Sequence, residues 1–196
     1  MESKALLLHC CCGPCSTSSI ERLRTLGYEP VLFFGNSNIY PEEEARRRFG
    51  ELEKVGCHFS LRVIRSEYDH NSWRKEIEGH EHDPERGSRC DICFAYNLRE
   101  AANEARKQGI PYFTTTLTVS PHKNSPLIFS IGETWDEFVP IDFKKKGGFQ
   151  RSIELARLLD LYRQDYCGCE FSMRSSGEHQ KADRHDRHAA EHSVDG

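Results

Sequence analysis

Long hydrophobic runs are missing from this chain. The longest, Ala5 to Leu8 and Val31 to Phe34, are four residues each, far short of the ~20 that a bilayer-spanning helix needs. No membrane partner is expected. The amino-terminal residues also lack a secretory hydrophobic core. Charge of either sign is not in excess: 27 Lys and Arg against 31 Asp and Glu leave a net charge of −4. Any nucleic acid must therefore be held by a local basic patch, not by bulk charge. With 37% hydrophobic residues in 196, the chain can bury a core without staples, although a mean hydropathy of −0.70 places some segment outside it.

Cysteine, by contrast, is plentiful. Nine are present, an odd number, mostly in tight groups. Without an export signal this favours a reducing, cytoplasmic setting with metal or redox chemistry over a disulfide scaffold.

The hydrophobic pattern reads as alternating strands and helices. Lys4 to Cys10 is a buried strand, broken by Gly13-Pro14. A helix follows, with Ser16 or Thr17 as its cap, Ile20, Leu23 and Leu26 on one face and Gly27 as its stop. Pro30 to Phe34 is strand two, Glu42 to Val55 a helix ending at Gly56, and Phe59 to Ile64 strand three. Residues 66–88 form a polar, partly helical insertion, and Cys90 to Lys107 a helix. A fourth strand is expected over Tyr112 to Val119, a loop from Ser120 to Pro126, a short helix, a fifth strand near Phe138 to Phe143 and a last helix from Phe149 to Arg163. The fold class is α/β, a mostly parallel sheet with helices on both faces. Residues 1–174 make one α/β metallo-catalytic domain, and 175–196, with His179, His185, His188 and His192, a disordered polar tail.

Three cysteine groups lie at chain reversals beside helix ends: Cys10, Cys11, Cys12 and Cys15; Cys90 and Cys93; Cys167 and Cys169. Helix N-termini favour the thiolate that a metal requires. A Cys₄ zinc site, a redox pair at Cys90 and Cys93, and an iron–sulfur cluster with further thiolates all suit this set. Seven cysteines, Cys11, Cys12, Cys15, Cys90, Cys93, Cys167 and Cys169, exceed what one zinc uses. Cys57 stands alone and reads as core, while strand alternation turns Cys10 away from Cys11. An ATP-using enzyme would place small glycine and serine residues after the first strand, where this chain has thiols.

The segments LLHCCCGPCS, GSRCDICF, TTTLTVSPHKN and YRQDYCGCEFS, in this order, closely resemble the cobalamin-independent epoxyqueuosine reductases of bacterial tRNA queuosine biosynthesis. The likeness runs from about Leu6 to Ser172. It implies a fold related to the adenine-nucleotide α-hydrolases, a [4Fe–4S] cluster and an additional mononuclear metal, iron. The family's first motif carries onto His9, Cys11, Cys12 and Cys15, its second onto Cys90 and Cys93, and its C-G-C motif onto Cys167 and Cys169. Gly13 stands where alanine is more usual. The expected assignment gives Cys11, Cys12, Cys90 and Cys93 to the cluster. Cys15, Cys167 and Cys169 go to the second metal, with His9 as a catalytic neighbour.

The implied substrate is tRNA carrying epoxyqueuosine, with no role for DNA, and a ferredoxin or flavodoxin is the implied electron donor. Asp91, His122 and Tyr166 join His9 as possible proton donors. The candidate RNA contacts are Lys144, Lys145, Lys146 and Arg151, flanked by glycines, with His122 and Lys123, and Tyr40, Phe149 and Tyr166 as stacking groups. Arg46 to Arg48 follow Glu42 to Glu44 and read as ion pairs on a helix surface. The alternative from another class is a zinc-bearing RNA-binding module without redox activity.

Overall fold

The computed structural model describes residues 3–173; the expected tail at 175–196 lies outside them. Four strands, β1 (Lys4–His9), β2 (Tyr28–Phe34), β3 (Val63–Arg65) and β4 (Phe113–Thr115), form one parallel sheet in the order β3-β2-β1-β4. The α/β expectation is met. In register, Leu8 lies between Leu32 and Thr114.

The pleat sends alternate residues of β1 to opposite faces, and each face has its own core. Leu6, Leu8 and Cys10, with Leu32 and Phe34, pack against α1 (Gly13–Thr25), α2 (Glu42–Phe59) and α6 (Gly148–Leu158). Leu7, Phe33 and Phe113 pack against α4 (Ser88–Lys107) and α5 (Ser125–Gly132). Such double coverage lets these strands be apolar on both faces. The polar insertion contains α3 (His70–Glu76), capped by Asp69, whose carboxylate accepts from the Ser72 N–H at 3.0 Å, and anchored by the fully buried Trp73. None of the described helices is long and apolar enough to cross a membrane.

Several boundaries differ from expectation, each for a local reason. Helix α1 begins at Gly13, not at Ser16 or Thr17; those hydroxyls instead donate back to the Gly13 and Pro14 carbonyls at 2.6 and 2.8 Å. Gly13 permits close packing of α1 on α2, because an added Cβ would lie 2.8 Å from the Glu51 carbonyl oxygen. Gly56 does not stop α2, which continues to Phe59 and leaves only Val63–Arg65 as β3. A Cβ at Gly56 would meet the Val63 side chain at 2.3 Å, so this glycine serves helix-on-strand packing. Cys57, expected in the core, is exposed.

Strand β4 ends early because the Thr115 hydroxyl accepts from the Leu117 N–H at 3.1 Å and turns the chain into a 3₁₀ helix over Thr116–Val119. The expected fifth strand is reduced to a single bridge between Phe113 and Phe138. Beyond it, the Thr114 and Thr118 hydroxyls donate to the Val139 and Ile141 carbonyls at 2.7 and 2.8 Å, taking the place of ladder N–H groups, and Pro140 has none to give. Helix α6 stops at Leu158, and Asp160 follows with a φ of 48°. Of the arginine run, Arg46 does pair with Glu42 on the surface, but Arg48 is buried.

Candidate metal centre and its cleft

Because β1 sits between β2 and β4, the loops that leave the carboxyl ends of β1 and β4 diverge and open a crevice, the usual ligand position in an open parallel sheet. The residues after β1 are Cys10, Cys11 and Cys12. Cys10 turns to the α1 side, where its thiol donates to the Leu8 carbonyl at 3.2 Å. Cys11 turns to the opposite side, its N–H donating to the Thr116 hydroxyl at 3.2 Å. Cys12 is the N-cap of α1 and Cys15 lies in its first turn; no side chain caps this helix. The sulfurs of Cys11, Cys12 and Cys15 lie within 4.8 Å of one another.

Among these three, hydrogen bonds from Cys12 and Cys15 hold the Cys11 thiol well below its usual range, against the cost of burial and with help from the Lys123 charge. Donating to Cys11 raises Cys12 to about 11 and pushes Cys15 well up. Cys11 is thus the first of this trio of soft donors to lose its proton. Such a set suits a thiophilic metal ion or an iron–sulfur cluster.

The remaining motif cysteines face the same space. A cleft of about 700 Å³ is lined by Cys11, Cys15, Cys90, Cys93, Cys167 and Cys169. Cys90 and Cys93 come from the start of α4, and the Cys90 sulfur accepts from the Arg86 N–H at 3.2 Å. Burial, reinforced by Cys167 and Cys169, pushes the Cys93 thiol up. Gly168, between Cys167 and Cys169, has a φ of 140°, where only glycine is at ease. Burial works against the charge of Lys123, but the cysteine sulfurs around it, Cys167, Cys11, Cys15 and Cys12, together outweigh that cost and raise its pKa. All nine cysteines are free thiols.

Of the other expected site residues, His122, Lys123, Asp91, Phe149 and Tyr166 line the cleft. His9 does not. It is fully buried, with Nδ1 2.9 Å from the Thr115 hydroxyl and Nε2 3.2 Å from Asn36 Oδ1. Asn36 gives its amide N–H to the Cys10 carbonyl at 2.8 Å, so its oxygen faces the ring and Nε2 carries the proton. Thr115, which already accepts from Leu117, then donates to Nδ1. Burial lowers His9 to about 4, leaving it neutral at pH 7. Lys144 lies behind the cleft wall, its ammonium donating to the Lys123 carbonyl at 2.6 Å. Lys145 and Lys146 are exposed on a 3₁₀ turn, and the Arg151 guanidinium is held by Glu21 and Glu154 at 2.9 and 3.2 Å. Tyr40 is partly exposed and packs against His70.

A family model described as epoxyqueuosine reductase QueH matches residues 6–175. The chain belongs to the epoxyqueuosine reductase QueH family. Relatives of that name include proteins of Streptococcus pyogenes serotype M1, 36% identical over 184 residues, covering 88% of this chain and 72% of the relative. Another, from Thermotoga maritima, is 38% identical over 176 residues, covering 86% and 90%. A third, from Haemophilus influenzae, is 38% identical over 177 residues, covering 87% and 72%. The match spans every cysteine segment of the cleft.

For this family member, the structure adds residues that motif reading passed over. Asn36 fixes the His9 tautomer, and Trp73, Arg86, Arg89 and Gln164 line the cleft, while the hydroxyl contact expected of Thr116 is made to Cys11. The polar stretch Gly35-Asn36-Ser37-Asn38 directly after β2 was the available signal, since a strand's carboxyl end is where a ligand sits. Nothing comparable marked Trp73, whereas Gln164 sits inside the YRQDYCGCEFS segment itself.

Proposed function

We propose that this chain reduces epoxyqueuosine at the wobble position of tRNA to queuosine, the final step of queuosine biosynthesis. One observation carries the reading: cysteines from three distant segments meet at one cleft with a charged lysine among them. Removing the epoxide oxygen consumes two electrons and two protons, leaves the two carbons joined as an alkene and releases water. When bound, a [4Fe–4S] cluster would supply electrons singly, received from a ferredoxin or flavodoxin, and a neighbouring iron would supply Lewis acidity toward the epoxide oxygen.

The donor set supports that pair of groups, being all sulfur and more numerous than one zinc needs. In this reading Cys11, Cys12, Cys90 and Cys93 hold the cluster, while Cys15, Cys167 and Cys169 hold the second metal. Lys123 keeps its proton among the cysteine sulfurs and would balance the charge they take on as ligands. His122, Asp91 and Tyr166 line the approach and can pass protons. His9, neutral and sealed, orients the end of β1 through Asn36 and Thr115. The splayed base enters between Phe149 and Tyr166, and His122, Lys123 and the exposed Lys145 and Lys146 meet the RNA backbone, with Lys144 and Arg151 as supports.

Anaerobic purification with iron, sulfide and zinc analysis, followed by incubation with epoxyqueuosine-tRNA and a low-potential reductant, tests the reading. Brown protein with more iron than sulfide and queuosine among the digested nucleosides is expected. Colourless, zinc-loaded protein that iron–sulfur reconstitution does not convert, and that yields no queuosine, overturns it.

A further inference from the structure

Arg48 sits in the middle of α2 with its side chain only 1% exposed. Its guanidinium is split between two tasks. One edge meets Glu44, one turn earlier, with Nε 2.7 Å from Oε1. The other edge leaves the helix and donates to two successive carbonyls of the C-G-C loop, Nη1 to Cys167 at 3.0 Å and Nη2 to Tyr166 at 3.3 Å. The next carbonyl, of Gly168, accepts from the Tyr40 N–H at 2.8 Å. Three consecutive carbonyls of this loop are therefore held from outside it.

The rest of α2 completes the grip. Tyr162, at the entry to the loop, gives its hydroxyl to Glu44 at 3.2 Å and its N–H to Glu51 at 3.0 Å. The Tyr166 ring lies beneath the guanidinium, 5.1 Å from its carbon, and its hydroxyl donates to the Tyr40 carbonyl at 2.8 Å. Gly168 leaves the space this requires, for a Cβ there would come within 3.1 Å of Nη1. A loop without regular structure needs such anchoring to hold a side chain in place.

We propose that Arg48 is a positioning residue: by fixing the Tyr166 and Cys167 carbonyls it presents the Cys167 sulfur to the cleft opposite Cys11, Cys12 and Cys15. The role that Cys167 then plays rests on the reading given under Proposed function; the positioning does not. A planar fork with five donors reaches a carboxylate and two carbonyls at once, which a lysine ammonium does not. R48K should keep the buried charge and lose part of the grip, whereas R48M should lose both.

The test compares R48K and R48M with L52A, which removes a buried core side chain from the same helix but none of the Arg48 hydrogen-bond partners. In the full chain, as purified and again after chelation, the rate at which N-ethylmaleimide labels Cys167 is read by peptide mass spectrometry, with Cys90 as the internal reference. Cys167 is already exposed in the wild type, so freeing its loop should raise its labelling only about threefold in R48M and less in R48K, with L52A near the wild-type rate at a matched loss of melting temperature. In turnover, kcat should fall by up to about a hundredfold in R48M while KM for tRNA changes little. Unchanged labelling in both Arg48 variants, or an equal rise in L52A, overturns the proposal. If labelling shifts as expected and wild-type protein makes no queuosine, the positioning stands and the proposed activity falls.

Discussion

Replacing Gly13 with alanine sets two effects of opposite sign against each other. Alanine in a helix is favoured over glycine by up to about 1 kcal/mol, partly because glycine leaves the unfolded chain freer. Against this, the new Cβ would lie 2.8 Å from the Glu51 carbonyl oxygen, 2.9 Å from its carbon and 3.0 Å from its Cβ. Two of those atoms are backbone in the middle of α2, with Leu52 and Val55 fully buried beside them. Glu51 is also tied by its carboxylate to the Tyr162 N–H and Lys54. No flexible side chain can swing away, so the helices must part, and forced overpacking of this kind costs about 1–3 kcal/mol. The net expectation is a loss of about 1–2 kcal/mol, or roughly 3–6 °C in Tm for a domain of this size.

Gly50→Ala is the control, since α2 offers that position open space with nothing within 4 Å. There the helix preference acts alone and should stabilise by up to about 1 kcal/mol. Urea and thermal unfolding of both variants give the comparison. If Gly13→Ala matches or exceeds the wild type, helix preference has beaten packing and the reasoning fails. Because Cys15 lies two residues further on, Gly13→Ala should also bind metal less completely.

Three other outcomes are expected. Cys169→Ser should abolish turnover and leave the cluster absorbance largely intact; normal turnover in that variant removes Cys169 from the second metal. His9, lowered by burial to about 4 from an ordinary 6.5, takes up a proton in the unfolded chain before the folded one. Its contribution, complete above pH 6.5, is lost as pH falls toward 4, about 2 kcal/mol by pH 5. Urea midpoints at pH 7.5 and 5 should converge in His9→Asn relative to wild type, and parallel pH dependence would count against the assigned burial effect. Neutralising Lys145 and Lys146 should weaken tRNA binding and lower the slope of log affinity against log salt by roughly 1–2; an unaltered slope clears these lysines of phosphate contact.

The sheet and most helices were legible because apolar runs and helical periodicity report burial directly, as at Leu6 to Leu8 and along Phe94, Leu98, Ala101 and Ala105. What failed were places where a side chain did the work of backbone. Thr118 read as strand and lies instead in the 3₁₀ turn, where its hydroxyl satisfies the carbonyl of residue 141 as that of Thr114, within β4, satisfies residue 139. Gly56 read as a stop and is a packing contact. At the site, motif spacing marked the cysteines, but the arginines told nothing of their fates. Arg46 and Arg48 sit two residues apart with the same i,i+4 partner pattern, yet one is on the surface and the other is enclosed by a loop more than a hundred residues away. Only the tertiary arrangement separates them.

The placement of the cysteines also fixes an order of assembly. Cys11, Cys12 and Cys15 lie at the junction of β1 and α1, among the first described elements to leave a ribosome, although Cys11 meets Thr116 only much later. Cys90 and Cys93 follow with α4. Cys167 and Cys169 arrive last, on a segment whose anchors, Glu44, Arg48 and Glu51, were made more than a hundred residues before. A nascent chain therefore displays three closely spaced thiols well before the residues that close over them. The last motif cysteines therefore join the cleft only when the whole described fold is in place.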